Sequence, residues 1–265
     1  MASGFESLLY AFCRNNSLSR GKRKKISRYR QSVAQAYPIK QALPRSFQTL
    51  SPVFNNVARP KMAKSFKIVF VIFVFLVFLL YSFKLDFVPV HLNQDEMMFA
   101  LNALGIAETG ADYYGNKWPF YFWHLGSFWA TPIIVYLTAV FLKFLPFSEA
   151  TIRLSSAFLG TLNVALLMYL THLIFRKNLL TLLAGILIAF TPVHFIHSRL
   201  LLDNLYTVPF VLLWLIFLKR ENYFLAGLSL GVGFHSYHAA KIVMPLYFLL
   251  SVIYVYFVKQ LKIKN

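Results

Sequence analysis

Residues Lys67–Phe83 read KIVFVIFVFLVFLLYSF, an apolar run with no glycine, proline or acid inside it. As a helix rising 1.5 Å per residue it covers about 25 Å, close to the hydrocarbon thickness of a bilayer. No small-residue cleavage site follows Tyr81, so the segment is expected to remain as an anchor. Upstream, Met62-Ala63-Lys64-Ser65-Phe66-Lys67 reads as an ordinary start for a signal anchor. Residues 1–61 are then an extension or an upstream mis-start.

Composition points the same way along the rest of the chain. Of 265 residues 58% are hydrophobic, 28 of them Phe and 15 Tyr, and only 14% are charged. A soluble protein of this size carries more charge. Further apolar runs lie at about 127–147, 152–175, 179–197, 204–218, 223–239 and 242–258. The expected fold class is all-α, a multi-pass helical integral membrane protein. The lone cysteine, Cys13, excludes an intramolecular disulfide and a cysteine-based metal site.

The net charge of +18 is uneven. Basic residues crowd before Ile68, Lys22 to Lys25 among them, opposed by Glu6 alone. A nucleic-acid partner is the lesser reading. A mostly disordered cytoplasmic tail over 1–66, held near anionic lipid headgroups, suits the Ser-, Gln- and Pro-containing sequence better. Domain boundaries follow as this tail, a transmembrane module over 67–258 with an outer loop at 84–150, and a basic tail at 259–265.

Topology turns on whether 127–147 crosses the bilayer. If it crosses, Arg176-Lys177, Lys219-Arg220 and the Lys259, Lys262 and Lys264 tail face the side opposite the N-terminal tail. If it lies flat, all of them join that tail inside, as the positive-inside bias requires. Thr131-Pro132 and Lys143 near the ends of the run also suit an interfacial helix. The second arrangement places Asp95-Glu96, Arg199, Asp203-Asn204 and the group His235, His238 and Lys241 together at the outer face.

Each of these residues has a functional and a plainer reading. Asp95 and Glu96, just beyond the first span, suit a general base and a sugar or metal ligand. Against this, Asn93 or Asp95 simply caps a helix running through Met97 and Leu101. Arg199 offers a planar fork for phosphate and Asp203 a ligand for metal or a sugar hydroxyl. Alternatively Arg199 snorkels and Asp203 caps a helix. Lys117, in the turn Gly115-Asn116-Lys117-Trp118-Pro119, is a candidate contact for an anionic headgroup among belt aromatics. His235 and His238 are spaced to share a helix face as metal ligands, although satisfied histidines at the outer end are the better reading. Gly227, Gly231 and Gly233 read as helix-packing positions, and Glu149 as a partner of Arg153.

The order of these features resembles the GT-C superfamily of polyprenyl-phosphate-sugar-dependent glycosyltransferases. An Asp-Glu pair after the first span is followed by GNKWPFYF, TPIIVYL, SEATIRLSSAFLGTL, HSRLLLDN and AGLSLGVGF. The branch it is most similar to contains the protein O-mannosyltransferases and the lipid A aminoarabinose transferase, and the similarity covers about residues 67–258. The resemblance implies inverting transfer of a sugar from a polyprenyl-phosphate carrier to an acceptor hydroxyl on a protein, lipid or glycan, at the outer face of the cell membrane. It implies Asp95 as the catalytic acid of the first loop, Glu96 as its neighbour, and Asp203 as the second acidic position. Asp95 and Asp203 would hold any divalent cation (Mg, Mn or Zn). Asn204 stands where a second acid is common. Arg199, with Lys117 or Lys241, would balance phosphate charge. Members of the family continue through further spans and an outer domain, so the chain reads as their N-terminal part. The rival expectation is a non-catalytic membrane protein, a transporter or an assembly subunit. A transporter, however, places its charges near the bilayer midplane on broken helices.

Overall fold

A computed structural model describes residues 62–126 and 128–264, with side chains to residue 257. The basic tail before residue 62 and the side chains of the C-terminal tail lie outside the described residues. The compact unit spanning Val57–Asn265 contains everything that follows.

The described chain is mostly helical. Helix α1, Lys64–Ser82, is the opening apolar run. Most of its side chains are exposed, and Phe66, Val77 and Tyr81 alone are buried. Helix α2, Gln94–Thr109, follows a loop and ends at Gly110, whose left-handed backbone closes the helix. A short antiparallel hairpin, β1 Phe122–His124 with β2 Phe128–Ala130, pairs Phe122 with Ala130 and His124 with Phe128. Then come α3, Pro132–Phe144, and the long α4, Glu149–Phe175. Helices α5, Asn178–Phe190, and α6, Pro192–His197, are split at Thr191, as the residue before a proline is pushed to extended backbone. A 3-10 turn, Asp203–Thr207, leads into α7, Val208–Lys219. Helices α8, Tyr223–Gly233, and α9, Ala240–Lys264, complete the fold.

Three of these helices are long and apolar enough to cross a membrane: α1, α4 and the Ala240–Phe257 part of α9. The apolar runs at 127–147, 179–197 and 223–239 give shorter helices than their lengths in sequence suggest. Pro192 divides the second of them, and α8 stops at Gly233, short of the run's end.

Contacts at the end of α1 decide where the 83–148 segment goes. Arg153, in the second turn of α4, donates to the carbonyls of Leu85, Pro89 and His91. The Asp86 carboxylate accepts from Ala150 N at the start of α4. The segment therefore leaves α1 and returns to α4 at the same end of the bundle, and α3 packs on α2 and the early turns of α4. At the opposite end, Arg176 closes α4 and Lys219 closes α7. Burial, and next the Arg176 cation, hold Lys219 below the usual lysine range, so these two basic turns are neighbours. Arg220 joins them by donating to the Tyr169 hydroxyl.

Close helix packing falls on Gly233, one of the three glycines expected, and on Gly160 and Gly185, which were not. A Cβ on Gly160 of α4 would meet Ser198 side-chain atoms at 2.1 and 2.6 Å, and one on Gly185 would meet Met168 at 2.6 Å. Gly233 is similarly tight against Phe210 and Met244, but Gly227 and Gly231 face open space. Their role is therefore not the packing expected of them.

Candidate functional site

The sequence places two acids side by side at the start of α2, and the helix sends them in different directions. Asn93 caps α2, accepting from Glu96 N at 2.8 Å while Glu96 reaches back to Asn93 N at 3.2 Å. This capping box turns Glu96 inward, as the third helical residue must turn to reach the cap. Glu96 is fully buried, and Arg153, itself fully buried, binds both its oxygens at 3.0 and 3.2 Å. Leu201 N adds a further bond to Glu96 at 2.9 Å. With its oxygens engaged in this way, Glu96 fastens α2, α4 and the chain after α6 together. The expected pair of Glu149 with Arg153 is present at 3.5 Å and is secondary to this buried one.

Arg199 has a similar structural task. Its guanidinium donates to four carbonyls, those of Leu80, Tyr81, Phe83 and Val88, at 2.7–3.2 Å. Leu80 and Tyr81 carry carbonyls freed where α1 ends, Phe83 follows directly and Val88 lies in the next loop, so Arg199 caps the C-terminus of α1 and ties that loop to it. The phosphate role expected of it is displaced by these bonds.

Asp95 points the other way, with its side chain 50% exposed. One oxygen bonds His124 Nε2 at 3.0 Å, and His124 is buried in β1. Asp203 opens the 3-10 turn from a half-buried position, outside the three long helices. Burial, and to a smaller extent the neighbouring Asp95 charge, push its carboxyl up to about 6 from 3.8. Thus carboxylates 108 positions apart, by subtraction of their residue numbers, lie within electrostatic reach of each other. Asn204 beside it is exposed.

The turn between α8 and α9 closes the other side. Thr131 donates to Ser236 O at 3.1 Å and lies beside Asp203, while Thr207 bonds the Ser236 hydroxyl at 2.9 Å. His235 Nδ1 bonds the Tyr121 hydroxyl at 2.7 Å, and the Lys241 ammonium sits 4.9 Å above the Tyr121 ring. The His238 ring packs on Phe128. Burial first, then the Lys241 ammonium and the neighbouring His124, hold His238 below the ordinary histidine range. Because α8 ends at Gly233, His235 and His238 occupy a turn and do not share a helix face.

Lys117 lies apart. It is exposed and bridges Ala111 at the far end of α2, which at 1.5 Å per residue is on the order of 20 Å from Asp95. His124, Thr131, Tyr121 and Ser236 are site residues that the sequence reading missed. The signal for His124 was weak, a single histidine within the aromatic string FWHLGSFW.

Among the described residues, no three His, Cys, Asp or Glu side chains form a group able to hold a metal. The two carboxylates that come near each other, Asp95 and Asp203, are oxygen donors of the type that magnesium takes. No protein-family model, curated protein or solved structure matches this chain.

Proposed function

We propose that the chain is a membrane glycosyltransferase module of GT-C type, moving a sugar from a polyprenyl-phosphate carrier to an acceptor hydroxyl at the extracytoplasmic face. The observation that supports this best is the meeting of Asp95 and Asp203 at one end of the helices, beside Lys241 and the histidines of the α8–α9 turn. An exposed carboxylate, a second acid with a raised pKa and a nearby cation suit base-assisted displacement of a phosphate leaving group.

In this reading Asp95 accepts the proton of the acceptor hydroxyl. The hydroxyl oxygen bonds the anomeric carbon from the face opposite the phosphate. The bond from that carbon to the phosphate oxygen breaks with inversion, and its electron pair leaves on the polyprenyl phosphate. Lys241 faces the departing negative charge, a role left to it by the engaged guanidinium of Arg199 and the distance of Lys117. Asp203 positions the sugar or, with Asp95, holds a magnesium or manganese ion that would neutralise phosphate charge.

Membranes containing the wild-type chain, supplied with a polyprenyl-phosphate sugar, should form glycosylated acceptor. Asp95→Asn should insert normally and lose transfer by about 10²-fold or more, the scale of a general base. Wild-type-like transfer by that variant would remove Asp95 as the base.

A further inference from the structure

The His124–Asp95 contact joins two elements that the sequence separates by 29 positions. His124 sits in β1, opposite Phe128 in the hairpin, and the flanking Phe122–Ala130 pair is fully buried. Its ring is gripped by Phe99 at 4.6 Å and Phe128 at 4.9 Å between centroids. Phe99 is four residues beyond Asp95, so one face of α2 supplies both the carboxylate and a wall for the imidazole. The imidazole is thus fixed by packing, and the exposed carboxylate is the freer partner of the bond.

We propose that His124 is the positioning residue of Asp95, an inference that rests on the reading of Asp95 as the base. His124 Nε2–H holds Oδ1, which sets the side-chain rotation of Asp95 and leaves Oδ2 to meet the acceptor hydroxyl. Without that bond an exposed aspartate samples several rotamers, and few of them present an oxygen in line with the reacting centre. The ionisable groups that surround the pair are Asp203, His238 and Lys241. None of them bonds Asp95 in place of His124.

Two variants and two readouts test this. His124→Phe keeps the aromatic packing and removes the donor, while His124→Gln restores a donor. With wild-type membranes active, His124→Phe should lower kcat by about 10²-fold and leave KM within about 2-fold, and His124→Gln should recover to within about 10-fold of wild type. In parallel, 15N-histidine NMR of the detergent-solubilised chain should show a hydrogen-bonded Nε2–H signal that is lost in both His124→Phe and Asp95→Ala. Unchanged kcat in a folded His124→Phe, or a signal indifferent to Asp95→Ala, overturns the positioning role and leaves the glycosyl-transfer reading standing. Absence of transfer by the wild-type chain overturns that reading itself, and the catalytic meaning of the pair with it.

Discussion

At the scale of single residues, neighbouring acids have opposite duties. Glu96 is spent on a buried ion pair, and removing one partner of such a pair leaves an uncompensated charge. Arg153→Met is therefore expected to destabilise the protein by roughly 3–5 kcal/mol, measured by thermal or denaturant unfolding in detergent. A loss below about 1 kcal/mol would show the pair to be dispensable. Asp203 carries the opposite signature, a carboxyl whose folded pKa of about 6 exceeds its unfolded value of 3.8. Such a group binds more protons folded than unfolded between those values. Stability from it falls as pH rises from about 4 to about 6, and above that range the cost of the buried charge is complete. That cost is at most roughly 3 kcal/mol. Asp203→Asn should accordingly raise the melting temperature at pH 7.5 and bring no such gain at pH 4. An equal change at both pH values would contradict the raised pKa.

At the scale of elements, the helices pack where small residues let them and not wherever glycines recur. Gly160 and Ser198 touch so closely that a methyl group on α4 has no room. Gly160→Ala should cost at least about 2 kcal/mol through overpacking. Gly227→Ala meets nothing and should be neutral or stabilise α8 by roughly 0.5–1 kcal/mol, the helix preference of alanine over glycine. A paired melting experiment on these variants checks the contrast. Similar losses in both would mean that α8 packs on its glycine face after all.

At the scale of the whole molecule, the end holding Asp95 and Asp203 lies opposite the end holding Arg176 and Lys219. In a membrane with the basic end inside, Asn116 faces outward and Lys177 inward. Single cysteines at positions 116 and 177, after replacement of Cys13, should react with an impermeant maleimide from opposite sides. Reaction of both from one side would contradict this topology.

The helical character of this chain was already legible in Lys67–Phe83, which forms a helix long and apolar enough to cross a membrane, because a single apolar run of that length satisfies its backbone hydrogen bonds internally only as a helix. Asp95 and Asp203 stood out in the sequence as candidates, since acids beside greasy segments are costly and therefore conspicuous, and folding brings the two near each other. What Glu96 and Arg199 do was decided only by tertiary structure. Their donors and acceptors are taken by carbonyls and amides brought near by folding, and a residue's type does not reveal which partners will reach it. The same holds for His124, whose closeness to Asp95 arises from a hairpin turning back across α2.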